Sequence, residues 1–336
     1  MSIAPLLKGA APLFFVGTAK NAGKTSAMNA CLRLYRLRRA QPGIISSGVD
    51  GEALDAISGA VKPAVPVERG DLICTSAGAV SRCACALEVL AVLPFGGARE
   101  RACVARVTQP GTALLVGPRT NAQLAACVAQ LRQQGARKIF VDGAFDRSTQ
   151  IGRHSSVDVL LVVSPGPHED PASLARRVEP LALRYMLPRK RIELAAAPGE
   201  LVLQGRQRQR VSVLDFGCLS ATARKELLRQ ARLVHVGGAL TDSLFGLLDV
   251  EPWPLILVSD PARIFLSAWR LLAASRSGRL RVSARVRLRA VVLGPSSGVA
   301  SPRAHQAALA KQLAVPVHNL LLLSGDADLA ATQGVA

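Results

Sequence analysis

The sequence predicts two α/β domains, the first built on a mainly parallel sheet, and three observations lead there. The 336 residues exceed what one hydrophobic core usually organises. Short apolar runs alternate with helical patterns along most of the chain, the sign of right-handed βαβ units. Aromatic residues are only 4% of the chain, so Leu, Val, Ala and Ile must fill the interior, as they do in sheets buried between helices.

The elements follow in order. Leu13 to Val16 is a short apolar run that enters a glycine-containing loop, and a helical pattern runs from Lys24 to about Arg39. In that helix Ala27, Ala30, Cys31 and Leu34 share one face, while Arg33, Arg36 and Arg39 recur on another. Ile44 to Ser47 is the next strand. Residues 53–110 are rich in turn formers and give one expected helix, near Ser81 to Leu93. Then come a strand at Ala113 to Val116, a helix at Asn121 to Gln134 capped by Thr120 or Asn121, and strands at Lys138 to Asp142 and Val157 to Val163. A helix at Asp170 to Leu187 has Pro171 near its start.

The segment from Leu187 to Arg210 holds PRKR, AAAPGE and GRQRQR and reads as a boundary, which divides the chain into 1–195 and 196–336. The second, smaller α/β domain carries strands at Val211 to Leu214, Leu233 to Val236, Leu255 to Val258, within Arg285 to Leu293, and at Val315 to Leu322. Its helices are expected at Ala221 to Gln230 and Ala262 to Ala274.

The formal charge is +19, from 34 Arg and 8 Lys against 23 acidic residues. Such an excess fits either a surface for an anionic partner or solvated charge from an arginine-rich composition. Aromatic residues are almost absent near the basic runs, which argues against nucleic acid as the partner. Seven cysteines include one C-x-C, Cys83 and Cys85, with no second pair to close a four-ligand zinc site, so buried reduced thiols are expected. His154, His168, His235, His305 and His318 have no ligand spacing. No apolar run is long enough to span a membrane. The stretch after Lys8 has the look of a weak secretory signal, but it runs into a phosphate-binding pattern, so a first strand explains it better and a cytoplasmic protein is expected.

That pattern is the central motif: Gly17-Thr18-Ala19-Lys20-Asn21-Ala22-Gly23-Lys24-Thr25-Ser26, between a strand and a helix. Small residues let the backbone curl so that successive N–H groups point at phosphate oxygens, and the helix start adds its positive end. Lys24 is placed to neutralise the β- and γ-phosphates, and the Thr25 hydroxyl to ligate Mg²⁺. The first domain is therefore expected to be a P-loop NTPase domain that binds ATP or another nucleoside triphosphate. A strict G-x-x-x-x-G-K-[ST] pattern needs glycine where Thr18 stands; here the glycine comes one place earlier.

Two acids are candidates around the loop. Asp142 ends the strand Ile139-Phe140-Val141, where it either orients the Mg²⁺ shell or caps a turn before Gly143. Asp50, in SSGVDGE, is a candidate for sensing the γ-phosphate or its metal, with Glu52 nearby. Asp146 and Arg147, in VDGAFDR, are weaker candidates.

The loop spelling resembles a branch of the P-loop proteins that includes dethiobiotin synthetases and cobyrinate amidation enzymes. Taken with SSGVDGE at 46–52, VDGAFDR at 141–147, GGALTD at 237–242, SDPARIFL at 259–266 and AVPVHNL at 314–320, the chain resembles the P-loop reactivase subunit associated with lysine 5,6-aminomutase, an adenosylcobalamin enzyme. Val49 in place of a basic residue, Gly294-Pro295 in place of Asn-Pro, and the heavy arginine content depart from that pattern. The resemblance implies a nucleotide-driven accessory protein that promotes cofactor exchange in a cobalamin-dependent aminomutase, together with a companion reactivase subunit. There Lys24 and Thr25 hold phosphate and metal, Asp142 the metal shell, and Asp50 the switch. The second reading, from the loop spelling, is an ATP-dependent ligase that activates a carboxylate as dethiobiotin synthetase does. A basic nucleic-acid-binding ATPase rests on charge alone and ranks last.

Overall fold

The computed structural model describes residues 4–19, 22–37, 40–50, 64–95, 97–143, 156–166, 168–191, 195–251, 253–294 and 301–323, with backbone only at residues 4–5 and 49–50. The chain is α/β and forms two compact units. The larger comprises Met1–Ile151, Val157–Glu179 and Leu288–Ala336, and the smaller is essentially Pro180–Arg287.

In the larger unit β1 (Leu13–Gly17) leads into α1 (Lys24–Arg36), followed by β2 (Pro42–Ser46), the two-residue β3 (Val49–Asp50), β4 (Val65–Val67), β5 (Leu72–Ser76) and α2 (Ala77–Val80). Next are β6 (Ala84–Val92), β7 (Ala102–Ala113), β8 (Leu115–Val116), α3 (Asn121–Gln133), β9 (Lys138–Gly143), β10 (Val157–Val163) and α4 (Pro171–Met186). Thr120 caps α3 in a reciprocal capping box with Gln123, as the sequence anticipates.

The region near Ser81 to Leu93 is a correction: β6, a strand, stands where a helix is expected. Alanine, leucine and glutamate favour a helix there, but the long β7 offers an antiparallel partner, and pairing overrides local preference. Three register irregularities along β6 mark the compromise.

The smaller unit pairs β11 (Glu200–Gly205) with β12 (Arg208–Ser212), then runs through α5 (Val213–Cys218), α6 (Ala221–Arg229), β13 (Ala231–Val236), β14 (Leu240–Thr241) and α7 (Asp242–Leu248). It closes with β15 (Leu255–Val258), β16 (Ile264–Phe265), α8 (Ala268–Arg276) and β17 (Leu280–Val282). Its five-stranded sheet has the order β12-β11-β13-β15-β17. Two expectations change here. Residues Val213 and Leu214 begin a helix capped by the Ser212 hydroxyl instead of ending a strand. The helix expected at Ala262 to Ala274 is interrupted, because Ile264–Phe265 pairs with Leu240–Thr241 and the helix starts only at Ala268.

The chain then returns to the larger unit. The strand β18 (Val286–Leu293), the helix α9 (Pro302–Gln312), β19 (Val317–Asn319) and α10 (Leu320–Leu323) follow. The large sheet has the order β19-β18-β10-β1-β9-β2-β5-β7-β4, with β6 on β7. Division at residue 195 put β18 and β19 in the second domain; they instead complete the first sheet, beside β10. The sequence continues its strand–helix alternation without a break, so nothing local marks the return.

β1 is the buried centre. It pairs in parallel with β9 on one side and β10 on the other, and Leu13 to Val16 are fully buried. On the α1 side Phe15 stacks on Phe140 at 6.3 Å between centroids, and Tyr35 of α1 meets Phe140 edge-on at 5.4 Å. Three of the few aromatic side chains thus join helix to sheet. Arg36, at the end of α1, holds Asp71 at 2.5 Å and the Pro66 carbonyl at 3.0 Å.

At the amino-terminal edge lies a buried ion pair, Lys138 Nζ to Asp158 Oδ2 at 3.5 Å, with side chains 1% and 0% exposed. Removing one member leaves the other charge in the core. Asp158→Ala should therefore lower stability by about 3–5 kcal/mol, whereas the double replacement Lys138→Met with Asp158→Leu should recover most of the loss, as read by urea denaturation.

Candidate functional site

Parallel pairing brings several loop ends to one edge. Gly17 is in register with Val162, Val16 with Gly143, and Ser46 with Asp142. The carboxyl ends of β1, β2, β9 and β10 therefore lie side by side, which is where ligands bind in open α/β sheets.

The loop after β1 is anchored at both ends. Thr18 N donates to the Val162 carbonyl at 3.1 Å. Gly23, the residue before α1, has φ of +87°, a conformation glycine adopts without penalty. Ala27 N donates to the Gly23 carbonyl at 2.9 Å, so the helix starts directly after this turn. The N–H groups of the first helical turn have no partners within the helix and face the loop end. Ala22 is fully buried, whereas Ala19 is exposed. Lys20 and Asn21 lie outside the described residues.

Lys24 folds back across the start of the loop. A Cβ built on Gly17 would lie 2.9 Å from Lys24 Cδ and 3.1 Å from its Nζ, so the absence of a side chain at 17 is what lets the lysine lie there. Lys24, Thr25 and Ser26 are all half-buried. The Thr25 hydroxyl donates to Asp142 Oδ2 at 2.7 Å across a sequence separation of 117 residues. Asp142 is fully buried, and its backbone carbonyl accepts from Ser47 N at 2.7 Å. Ser46 and Ser47 are buried beside it, and Gly48 N donates to the Ser46 hydroxyl at 2.9 Å. The SSG portion of the second motif and the VDG portion of the third thus meet at one place.

The remaining candidates are placed less fully. Asp50 is described in backbone only: it pairs with Leu115 in the small β3–β8 ladder. Glu52, Asp146 and Arg147 lie outside the described residues. Among the described residues no group of three or more His, Cys, Asp or Glu side chains is arranged to hold a metal ion. A hydroxyl and a carboxylate in contact are nevertheless hard oxygen donors suited to Mg²⁺, which is commonly held by one or two protein ligands, with phosphates and water supplying the rest.

One residue at this edge, noted in the sequence only as a departure from the resembled pattern, has a structural role that the sequence does not reveal. Gly294 follows β18 and donates its N–H to the Val163 carbonyl at 2.8 Å. A Cβ on it would come within 2.1 Å of the Ala22 carbonyl oxygen, so the loop rests directly on its backbone. The only sequence signal is a glycine closing an apolar strand. On the same side, Glu169 receives two hydrogen bonds from Arg177, at 2.9 and 2.8 Å, which hold its carboxyl below the ordinary glutamate range. This fixes the segment after β10.

Burial pushes the Cys31 thiol up to about 12 and Cys85 to about 11, and a hydrogen bond with Cys127 raises Cys74. Among the described residues no helix is long and apolar enough to cross a membrane. Compared with family models, curated proteins and solved structures, the chain matches none.

Gly294→Ala should force the loop backbone off β18 and destabilise the protein by about 1–3 kcal/mol, the cost of overpacking a tight site. A thermal midpoint equal to wild type would show that the loop does not depend on this contact.

Proposed function

We propose that the larger unit binds a Mg²⁺–nucleoside triphosphate at Gly17–Ser26 and hydrolyses it, and that the protein uses this cycle to act on another protein. The observation that carries the nucleotide reading is the 2.7 Å contact between Thr25 and Asp142, formed at the end of a strand–loop–helix turn with Lys24 folded over Gly17. Neither a capping role nor a turn role for Asp142 calls for the hydroxyl of the residue after a loop lysine.

In this reading Lys24 and the N–H groups of the first helical turn bind the phosphates, and Thr25 and Asp142 hold Mg²⁺. Bound there, the metal would neutralise charge on the phosphate oxygens. Gly294 holds the loop in shape from below, and Ser46–Gly48 ties the second loop to Asp142. Asp50, carried on the backbone pairing with Leu115, is the proposed nucleotide sensor.

For the partner, the reading is reactivation of a cobalamin-dependent aminomutase by cofactor exchange, with a companion subunit. It is supported by the chain-wide motif resemblance. In the smaller unit two of those motifs, GGALTD and SDPARIFL, form one contiguous element: Leu240–Thr241 pairs with Ile264–Phe265, Arg263 donates to the Gly237 carbonyl at 2.5 Å, and Asp242 accepts from Ser267 N at 2.9 Å. Coupling requires that the partner bind the two nucleotide states with different affinity.

Lys24→Ala should weaken triphosphate binding about 10- to 100-fold, the worth of a hydrogen-bonded charge, while unchanged affinity in the folded variant by isothermal titration would dismiss the site. Asp142→Asn should keep nucleotide but lose most Mg²⁺-dependent hydrolysis, because an amide is a poorer ligand for a hard cation. Reactivation is tested by inactivating an aminomutase through turnover, then adding this protein, its companion subunit, triphosphate, Mg²⁺ and fresh cofactor. Recovery should require hydrolysis. Equal recovery without nucleotide would refute the coupling, and ATP-dependent turnover of a small carboxylic acid by the protein alone would establish a ligase instead.

A further inference from the structure

The arginine-rich GRQRQR segment at 205–210, which reads as part of a domain boundary in the sequence, is the turn and return strand of the β11–β12 hairpin. Its turn closes on itself through Gly205 N to the Gln207 carbonyl at 3.1 Å. It also packs against the corner where α6 gives way to β13. A Cβ on Gly205 would come within 1.8 Å of the Gln230 carbonyl, so hairpin and corner touch at backbone level. Between them opens a cavity of about 580 Å³, wholly within the smaller unit.

Its lining has a particular chemistry. Arg206 comes from the hairpin turn, Arg229 from the end of α6 and Arg232 from the start of β13, so three separate segments each contribute an arginine to the lining. Gln207, Gln209 and Gln230 also line it, with Gln230 Nε2 donating to Glu226 Oε1 at 3.3 Å, and Leu203, directly across the ladder from Gln209, supplies apolar floor. No described lining residue is acidic. The nearest pairing is a loose surface contact, Arg229 Nη1 to Glu226 Oε2 at 3.8 Å, with both side chains more than half exposed. Elsewhere in this hairpin an arginine is neutralised closely: Arg210 holds Glu200 at 2.7 Å, outside the cavity.

Three exposed arginines around one cavity give it a positive lining that complements an anion. A phosphate monoester matches the set better than a carboxylate. It brings nearly two negative charges and three strong acceptor oxygens, and guanidinium forks pair with phosphate in bidentate fashion. The volume falls in the range of small-molecule sites and suits an organic group of nucleotide size. Among the described lining residues none is aromatic to stack a run of bases, which argues against a single-stranded nucleic acid.

We propose that this cavity is a second ligand site, separate from the loop at Lys24, that binds a small organic phosphate. Arg206, Arg229 and Arg232 hold its phosphate, and the glutamine carboxamides contact its organic part. The inference does not rest on the nucleotide reading.

The test uses the full chain carrying Lys24→Ala, so that the loop contributes least, with and without Arg206→Gln, Arg229→Gln and Arg232→Gln. Adenosine monophosphate, pyrophosphate, citrate and a short single-stranded oligonucleotide are titrated into each by calorimetry. All three arginines are exposed, so the replacements should leave the thermal midpoint unchanged; the single change Arg232→Gln serves if the triple variant does not fold. Both phosphates should bind the arginine form and lose at least about tenfold in affinity when the guanidiniums are gone. Arg208→Gln, which does not line the cavity, should change nothing. Equal phosphate binding with and without the three arginines, or none at millimolar concentration, would overturn the proposal. So would citrate binding as tightly as the monophosphate, or an oligonucleotide binding more tightly than either phosphate with a steep salt dependence.

Discussion

The burial of β1 between β9 and β10 is the constraint on which the candidate site depends. Parallel pairing on both sides fixes not only the strand but the height at which each loop leaves the sheet. A slip of one residue in β9 would turn Asp142 to the opposite face and break its contact with Thr25. The loop's small residues make it able to curl, but the sheet decides where the curl is aimed. Phe15, Phe140 and Tyr35 stiffen this arrangement, because the helix that begins at Lys24 packs through them onto the strands that carry its counterpart.

Much of the fold and of the candidate site was legible because its signals are local. The apolar run, the small-residue loop and the helix after it are contiguous, so their order can be read directly, and Asp142 stands out as an acid ending an apolar strand. What stayed hidden depends on distant partners. β6 has helix-forming residues and becomes a strand only because β7 is there to receive it. β18 looks like any later strand, and nothing in its residues says that it returns to β10. Ile264–Phe265 breaks an expected helix because Leu240–Thr241 lies alongside. The cavity beside Gly205 is invisible for the same reason, since its three arginines come from segments that meet only after folding.

The arginine excess also gains structural content. Several guanidiniums act as clamps rather than as solvated charge. Arg36 ties the end of α1 to Asp71 and a backbone carbonyl, Arg177 ties Glu169 to the Ser164 carbonyl, and Arg224 reaches the Gly217 and Leu219 carbonyls. Arg36 and Arg177 each use both Nε and Nη2 of the fork, which a lysine ammonium cannot match in geometry, while Arg224 reaches both carbonyls from Nη1. These arginines fasten the end of a helix and two loops through polar contacts.

The seat of the loop on Gly294 has a consequence for biosynthesis. Ala22 is made early, but its supporting backbone arrives some 270 residues later, after the whole smaller unit has been translated. Through that interval β10 has no neighbour on its outer side, and the loop has nothing beneath it. A sheet formed before β18 is made has an unpaired edge at β10, which is open to wrong pairing. The site that comes first in the sequence is thus among the last to mature, so a chain truncated before β18 would carry the complete motif without its structural support.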